Sequence, residues 1–477
     1  MKSRKFTFED QEVFARISGD YNPAHLDAIA ARRFQFGQPV VHGIHLLLWA
    51  LDCWLRGRRR PAALVSITAL FKKPVTVGGG VRCSLSSRSG NSVTIKLCVE
   101  NSEVAAITAG WGAPEPNPEK VLSGKNPAYR NCKVMAPGEA AGVSGKLDLR
   151  VNAAAASMLF PDVIKKMPLQ QVAELLAISR LVGMECPGYH SMLSAVDATF
   201  VKTTGRSSSL TYAVSDYDER FSLCSVRACG PGLRGMVKAF FRPPPREQES
   251  FTDMRAKVDM KEFKGQNALI IGGSRGLGEV AAKLLAAGGA KVRITFHKGE
   301  EDARRLVKEI VSGRGSADCV FFDVLNIEPD AADKLHKKIK PTHLYYFATP
   351  PIFAVRYKKR FSPKLFENFC RYYITGFAAT VEILRAAAPG FANVFYPSST
   401  AIDELLSSVS EYACAKAAGE TLCAFLEKYH KDIFIYRPRL SRMATDQTVS
   451  LLADNGRDPA LIILKHLRVF RDRGKAK

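Results

Sequence analysis

The 477-residue sequence predicts an α+β region followed by an α/β region built on a doubly wound parallel sheet. Two features carry this. Up to about residue 245, apolar helical patterns lead into strand-like alternation, the order of an α+β fold. From about residue 265, an apolar run passes through a glycine-rich turn into an Ala/Leu-rich helix and on to a second strand, the βαβ order of a parallel sheet. Between them, residues 240–265 run from a triple proline into charged sequence without apolar periodicity, the composition of a connector.

The first element with chemistry is SGDYNPAHLD at 18–27, followed by PVVHGIH at 39–45. Asp20 and His25 stand five residues apart, and both types accept or donate a proton near neutral pH. The Asn22-Pro23 pair disfavours helix, so a loop is expected from which both side chains reach one cleft. The apolar run near 44–55 is interrupted by His45 and Asp52 and is too short for a bilayer, so it reads as a buried helix.

The whole string, together with FKKPVTVG at 71–78, resembles the MaoC-like (R)-specific enoyl-thioester hydratases and dehydratases of the hotdog fold, from about Phe6 to Trp111. The resemblance implies that Asp20 and His25 activate water, or remove it from a 3-hydroxyacyl chain. It places Asn22 as an aid to orienting that water, and His42 and Gly43 beside the substrate carbonyl, which the Gly43 N–H would polarise. A helix N-terminus suits that last role, because its unpaired N–H groups face developing enolate charge.

The middle segment, about 127–244, has helical spacing in PLQQVAELLAISRLVGME at 168–185, then strand patterns at 209–214 and 236–241. A long helix ahead of strands that wrap it is the hotdog order, so this segment is similar to the paired half of MaoC-like double-hotdog proteins. It lacks D-x-N-P-x-H and is expected to be a non-catalytic half that shapes an acyl tunnel, with His190 and Ser191 placed to contact substrate or, as the favoured reading, structural. A Pro/Gly/Asn-rich break at 112–126 separates the halves. The expected boundaries are 1–118, 119–246, a linker at 247–264, and 265–477.

In the third segment Gly272, Ser274, Arg275, Gly276, Leu277 and Gly278 form a turn at a strand-to-helix junction, where backbone can approach a pyrophosphate. Asp323 and Val324 follow the apolar run CVFF, and Ala348 follows YYF. VFYPSST at 394–400 ends a later strand with Ser399, and Tyr412 and Lys416 lie one turn apart on a helix. This set resembles the short-chain dehydrogenase/reductases, with their Rossmann-type sheet, over about 265–450. Tyr412 would exchange a proton with the reacting oxygen. A phenol titrates near ~10, so the Lys416 ammonium is needed to draw it towards neutrality. Ser399 would hold the substrate oxygen.

NAD-preferring members place an acidic residue at the end of the second strand. Here His297 and Lys298 stand there, and Arg275 sits in the turn, which suits the 2′-phosphate of NADPH. Three positions depart from the pattern: YYFATP at 345–350 keeps only Ala348, Tyr373 stands where the relay asparagine belongs, and RPRL at 437–440 lacks its glycine.

Net charge is +23, from 69 Lys+Arg against 46 Asp+Glu, which attracts anionic partners. No nucleic-acid motif accompanies it, and the basic clusters at 56–60, 72–73, 165–166, 356–360 and the tail are short and dispersed. An acyl thioester on acyl carrier protein or coenzyme A, both anionic, is the expected partner. The 11 cysteines are scattered without metal-type spacing, and the N-terminus has no apolar leader, so a reduced, cytoplasmic, metal-free protein is expected. Two sites on one chain imply consecutive steps: NADPH-dependent 3-oxoacyl reduction, then (R)-3-hydroxyacyl dehydration, in a homo-oligomer. The degradative order with NAD, and a dehydratase carrying a non-catalytic nucleotide-binding domain, remain open alternatives.

Overall fold

The computed structural model describes residues 2–34, 36–113, 124–201, 208–353, 360–388, 390–445 and 457–474. Most of the 112–126 break, most of the 356–360 cluster and the end of the tail lie outside the described residues. The chain forms two compact units that divide between Pro244 and Pro245.

In the first unit, ten strands form one antiparallel sheet: β1 (Lys2–Lys5), β2 (Ala63–Phe71), β3 (Gly80–Ser89), β4 (Ser92–Val99), β5 (Ser102–Gly112), β6 (Ser144–Asp148), β7 (Ser191–Phe200), β8 (Ser209–Asp218), β9 (Leu223–Cys229) and β10 (Leu233–Phe241). Their order is β1-β3-β4-β5-β2-β7-β10-β9-β8-β6. Each half repeats one pattern: an outer strand, a long helix, a strand at the sheet centre, and three strands filling back from the edge. The halves join where β2 and β7 pair antiparallel, Ser66 opposite Thr199. This is the expected double hotdog.

The first central helix, Gly43–Arg56, buries every residue from Ile44 to Leu55 except Cys53. A helix that is apolar all round belongs inside a core. Its one acidic residue, Asp52, accepts hydrogen bonds from the Asp162 and Val163 N–H groups and so caps the short helix Pro161–Lys166. The second central helix, Leu169–Arg180, shares the same core through Leu175 and Ile178.

The second unit holds six parallel strands, β11 (Asn267–Ile271), β12 (Lys291–Phe296), β13 (Ser316–Phe321), β14 (His343–Tyr346), β15 (Asn393–Phe395) and, after the two-residue strand β16 (Ser398–Ser399), β17 (Phe434–Tyr436). The order is β13-β12-β11-β14-β15-β17, while β16 pairs separately with β18 (Arg439–Leu440). Neighbouring residues Leu269 and Ile270 enter different cores, one on each face of the sheet, as a doubly wound fold requires. The order reverses between β11 and β14, where such sheets leave a binding crevice.

The expected linker at 247–264 is corrected. It carries a helix at Phe251–Arg255, and Phe251, Met254, Val258 and Phe263 are buried in the core of the second unit. Four apolar residues separated by charge were enough to dock it. Among the described residues, no helix is long and apolar enough to cross a membrane.

Candidate active sites

In the first unit, helix Phe8–Ser18 starts on a capping box of Thr7 and Asp10, ends at Gly19 and delivers Asp20 into the interior. Asn22 caps, and Pro23 opens, a one-turn helix Pro23–Leu26 that carries His25. The expected loop is therefore a helical turn, because the fixed φ of proline fits a first helical position. His25 Nδ1 lies 2.7 Å from Val40 O. A carbonyl only accepts, so Nδ1 holds the hydrogen and Nε2 is a bare acceptor.

Burial pushes the Asp20 carboxyl up to about 7, against the pull of the Ser179 hydroxyl, and pushes His25 down to about 4. A carboxyl that still carries a proton near neutrality thus faces an imidazole that does not. Atoms of Asp20, His25 and His42 lie within 4.8 Å of one another. His42 Nδ1 lies 3.0 Å from Gln11 Oε1 and Nε2 3.1 Å from Asp20 O; burial keeps the ring neutral, so one of the two nitrogens donates and the other does not. His42 also precedes Gly43 without capping the helix through its side chain, which leaves the first-turn N–H groups without that acceptor.

Two of the expected site residues are held by the protein itself. The His42 side chain is fully buried between Gln11 and the Asp20 backbone. Asn22 Nδ2 lies 3.0 Å from both Gly183 O and Gly188 O, and its Oδ1 accepts from Ala24 N–H. The amide clamps this turn to the second half. Two residues of that half went unread in the sequence. Ser179 Oγ donates to Asp20 Oδ2 at 2.7 Å, and a Cβ on Gly183 would stand 2.0 Å from Asp20 Oδ1. His190 accepts from Arg242 N–H through its carbonyl, and Ser191 Oγ lies 3.4 Å from Asn22 Nδ2.

In the second unit, Gly272 has φ +76°, and a Cβ there would meet Ala348 Cα at 2.9 Å, so the turn and Ala348 touch. At Gly276 nothing lies within 4 Å of where a Cβ would stand, and the helix Gly276–Ala287 has no side-chain cap at Arg275. Open backbone at an uncapped helix start fits a pyrophosphate. Ser274 is buried, and Gly278 packs on Gly272 O. Leu277 and Val324 turn their side chains into the cores, which leaves only their backbone for a nucleotide. His297 and Lys298 stand just beyond β12, with His297 Nε2 3.6 Å from Asp323 Oδ2. Asp323 accepts from Leu325 N–H and Asn326 Nδ2, which fixes its carboxylate.

Ser399, Tyr412 and Lys416 converge. Burial holds the Tyr412 phenol above its ordinary value, while a hydrogen bond with Ser399 pulls it down. The Lys416 ammonium donates to Pro397 O at 2.6 Å and lies 6.0 Å from the Tyr412 ring. Burial pushes Lys416 down to about 7. Tyr373 is buried and pairs its hydroxyl with that of Thr349. In RPRL, Arg439 pairs with Glu420 at 2.7 Å, and Pro438 O accepts from Ser398 N–H.

Residues 1–107 match the model of the MaoC like domain, and residues 266–436 that of the short chain dehydrogenases. The chain is 37% identical over 109 residues to an (R)-specific enoyl-CoA hydratase of Aeromonas caviae, covering 22% of this chain and 74% of that protein. It is 36% identical over 83 residues to a 3-oxoacyl-[acyl-carrier-protein] reductase of Synechocystis, covering 17% of this chain and 32% of that one. Among solved structures, a short chain dehydrogenase of Burkholderia cenocepacia in complex with NADP aligns with TM-score 0.38 at 20% identity, over 44% of this chain and 91% of that one.

Proposed function

Because the chain belongs to the MaoC-like hydratase family at its start and carries a short-chain dehydrogenase domain towards its end, we propose that it reduces a 3-oxoacyl thioester with NADPH and dehydrates the (R)-3-hydroxyacyl product to the trans-2-enoyl thioester. The observation that carries the reading is the pairing of opposite shifts at Asp20 and at His25, on the one-turn helix that follows it, beside an uncapped helix start. In dehydration, His25 Nε2 takes the proton next to the thioester carbonyl, and the Asp20 carboxyl gives its proton to the departing hydroxyl. The N–H at Gly43 receives the enolate oxygen between these events, a contact of the kind worth about 10²–10³ in rate.

For the reductive step, NADPH supplies the hydride when bound. Tyr412 gives its proton to the carbonyl oxygen, which Ser399 holds. A phenol kept protonated by burial favours that direction over oxidation, and the Lys416 charge stabilises the phenolate that remains. Preference for NADPH is supported by Arg275, His297 and Lys298 around the expected ribose position. The basic surface supports an anionic carrier, acyl carrier protein or coenzyme A, and eleven unbridged cysteines are compatible with the cytoplasm. Self-association is supported by Phe425 and Tyr429, exposed on the helix that carries Tyr412.

The test is to mix the purified chain with NADPH or NADH and acetoacetyl thioesters of both carriers, and to follow nicotinamide absorbance and crotonyl product together. NADPH oxidation followed by enoyl formation is expected. Preference for NADH with oxidation of the hydroxyl overturns the synthetic direction, and enoyl hydration without any nicotinamide turnover overturns the reductase.

A further inference from the structure

Lys416 has an unusual enclosure for a buried ammonium. It is 5% exposed, and its Nζ lies 3.9 Å from the centre of the Tyr373 ring and 4.8 Å from that of Tyr396. Glu420, one turn further along the helix Ser410–Tyr429, is engaged by Ser398 and Arg439 instead. The groups that face Lys416 are therefore the rings of Tyr373, Tyr396 and Tyr412 and the carbonyl of Pro397, with Cys423 and Glu420 acting on it electrostatically.

Tyr373 is held as firmly as a structural residue. It lies in a π-turn, Arg371–Gly376, that interrupts the helical run between Pro363 and Ala387. Such turns free backbone carbonyls and cluster at functional sites. Here tyrosine hydroxyls take them: Tyr346 donates to Tyr372 O at 2.7 Å and Tyr396 to Tyr373 O at 3.1 Å. Gly419 makes room, since a Cβ there would stand 2.0 Å from the Tyr396 hydroxyl oxygen. The Tyr373 ring stacks on Phe369 and meets Tyr412 edge-on, and its hydroxyl is tied to Thr349. What remains of it for Lys416 is the ring face.

We propose that the face of Tyr373, in place of a carboxylate or an asparagine-held water, keeps Lys416 protonated and positioned beside Tyr412. An aromatic face attracts a desolvated cation through its quadrupole. Burial alone works in the opposite direction, so the ring offsets a penalty that water no longer meets. As a positioning residue of the reductase, Tyr373 rests on the function proposed above; its contact with Lys416 does not.

Titration of Lys416 itself tests this. The full chain is labelled with carbon-13 at the lysine ε position, and the Lys416 resonance is assigned by its loss in Lys416→Met. The midpoint is compared between the native chain, Tyr373→Phe, and a chain with pentafluorophenylalanine at position 373, whose ring keeps its shape and leaves no cavity while its face no longer attracts a cation. The Phe variant is expected to titrate with the native chain, and the fluorinated one about one pH unit lower. The alkaline limb of NADPH oxidation with acetoacetyl-CoA is expected to move down by the same amount. An unmoved midpoint with the fluorinated ring overturns the proposal. So does a Phe variant that falls as far as the fluorinated one, since the hydroxyl would then carry the effect. A native chain that oxidises no NADPH removes the reductase alone, because the resonance is read without turnover.

Discussion

Asp20 and His25 are displaced in opposite directions by the same cause, loss of water, and the consequence is a couple that holds one proton between about pH 4 and about pH 7. Hydration and dehydration take up no net proton, so one protonation state serves both directions. kcat/KM is therefore expected to rise through about pH 4 and fall through about pH 7 whichever substrate is supplied. Matched limbs for crotonyl-CoA and 3-hydroxybutyryl-CoA check this; different limbs overturn the shared proton. The same shift has a sign for stability. Asp20 binds its proton more tightly folded than unfolded, so its favourable contribution is complete below the ordinary carboxylate value and is lost as pH rises through about 7. Asp20→Asn is expected to abolish the water chemistry yet to stabilise the fold by ~4 kcal/mol above that pH, and to change it little in acid. Thermal unfolding at two pH values reads the difference.

Among the elements, the helix that opens at Gly43 was legible because a run that is apolar but for His45 and Asp52, and too short for a bilayer, admits little else than a buried helix, and the glycine turn at 272–278 because strand, turn and helix follow one another. The contacts that finish the site were not. Ser179 meets Asp20 across a separation of 159 residues, and no local periodicity records that. Asn22-Pro23 misled for a different reason: the pair that interrupts a helix from within also starts one. Two substitutions test what these elements do. Gly43→Pro removes one N–H at a first helical position, where the backbone suits proline though its ring must displace the Leu193 methyl that a Cβ would meet at 2.8 Å, and hydration is expected to fall at least about 10²–10³-fold. Gly183→Ala places a methyl on the Asp20 carboxylate and is expected to remove hydration at least as completely, with NADPH oxidation unchanged. Steady-state rates of both reactions on both variants decide it.

At the scale of the whole molecule, both fold classes could be read from the order of patterns, whereas the docking of 247–264 could not, because its four core residues are scattered through charge. Each unit has its own core and its own chemistry. Asp20→Asn is accordingly expected to spare NADPH oxidation, and Tyr412→Phe to spare hydration, each variant stalling the coupled reaction at a different intermediate; mass analysis of the accumulated thioester distinguishes them.

The seam between β2 and β7 has an evolutionary consequence. A gene fragment ending after β5 would retain the entire D-x-N-P-x-H signature, yet it would expose β2 as a naked edge and leave Asp20 without Ser179 or Gly183 above it. Such an orphan would bear the family's badge with a hydrated, ordinary carboxylate beneath it, and would regain activity only by pairing that edge with a second copy able to supply the missing roof.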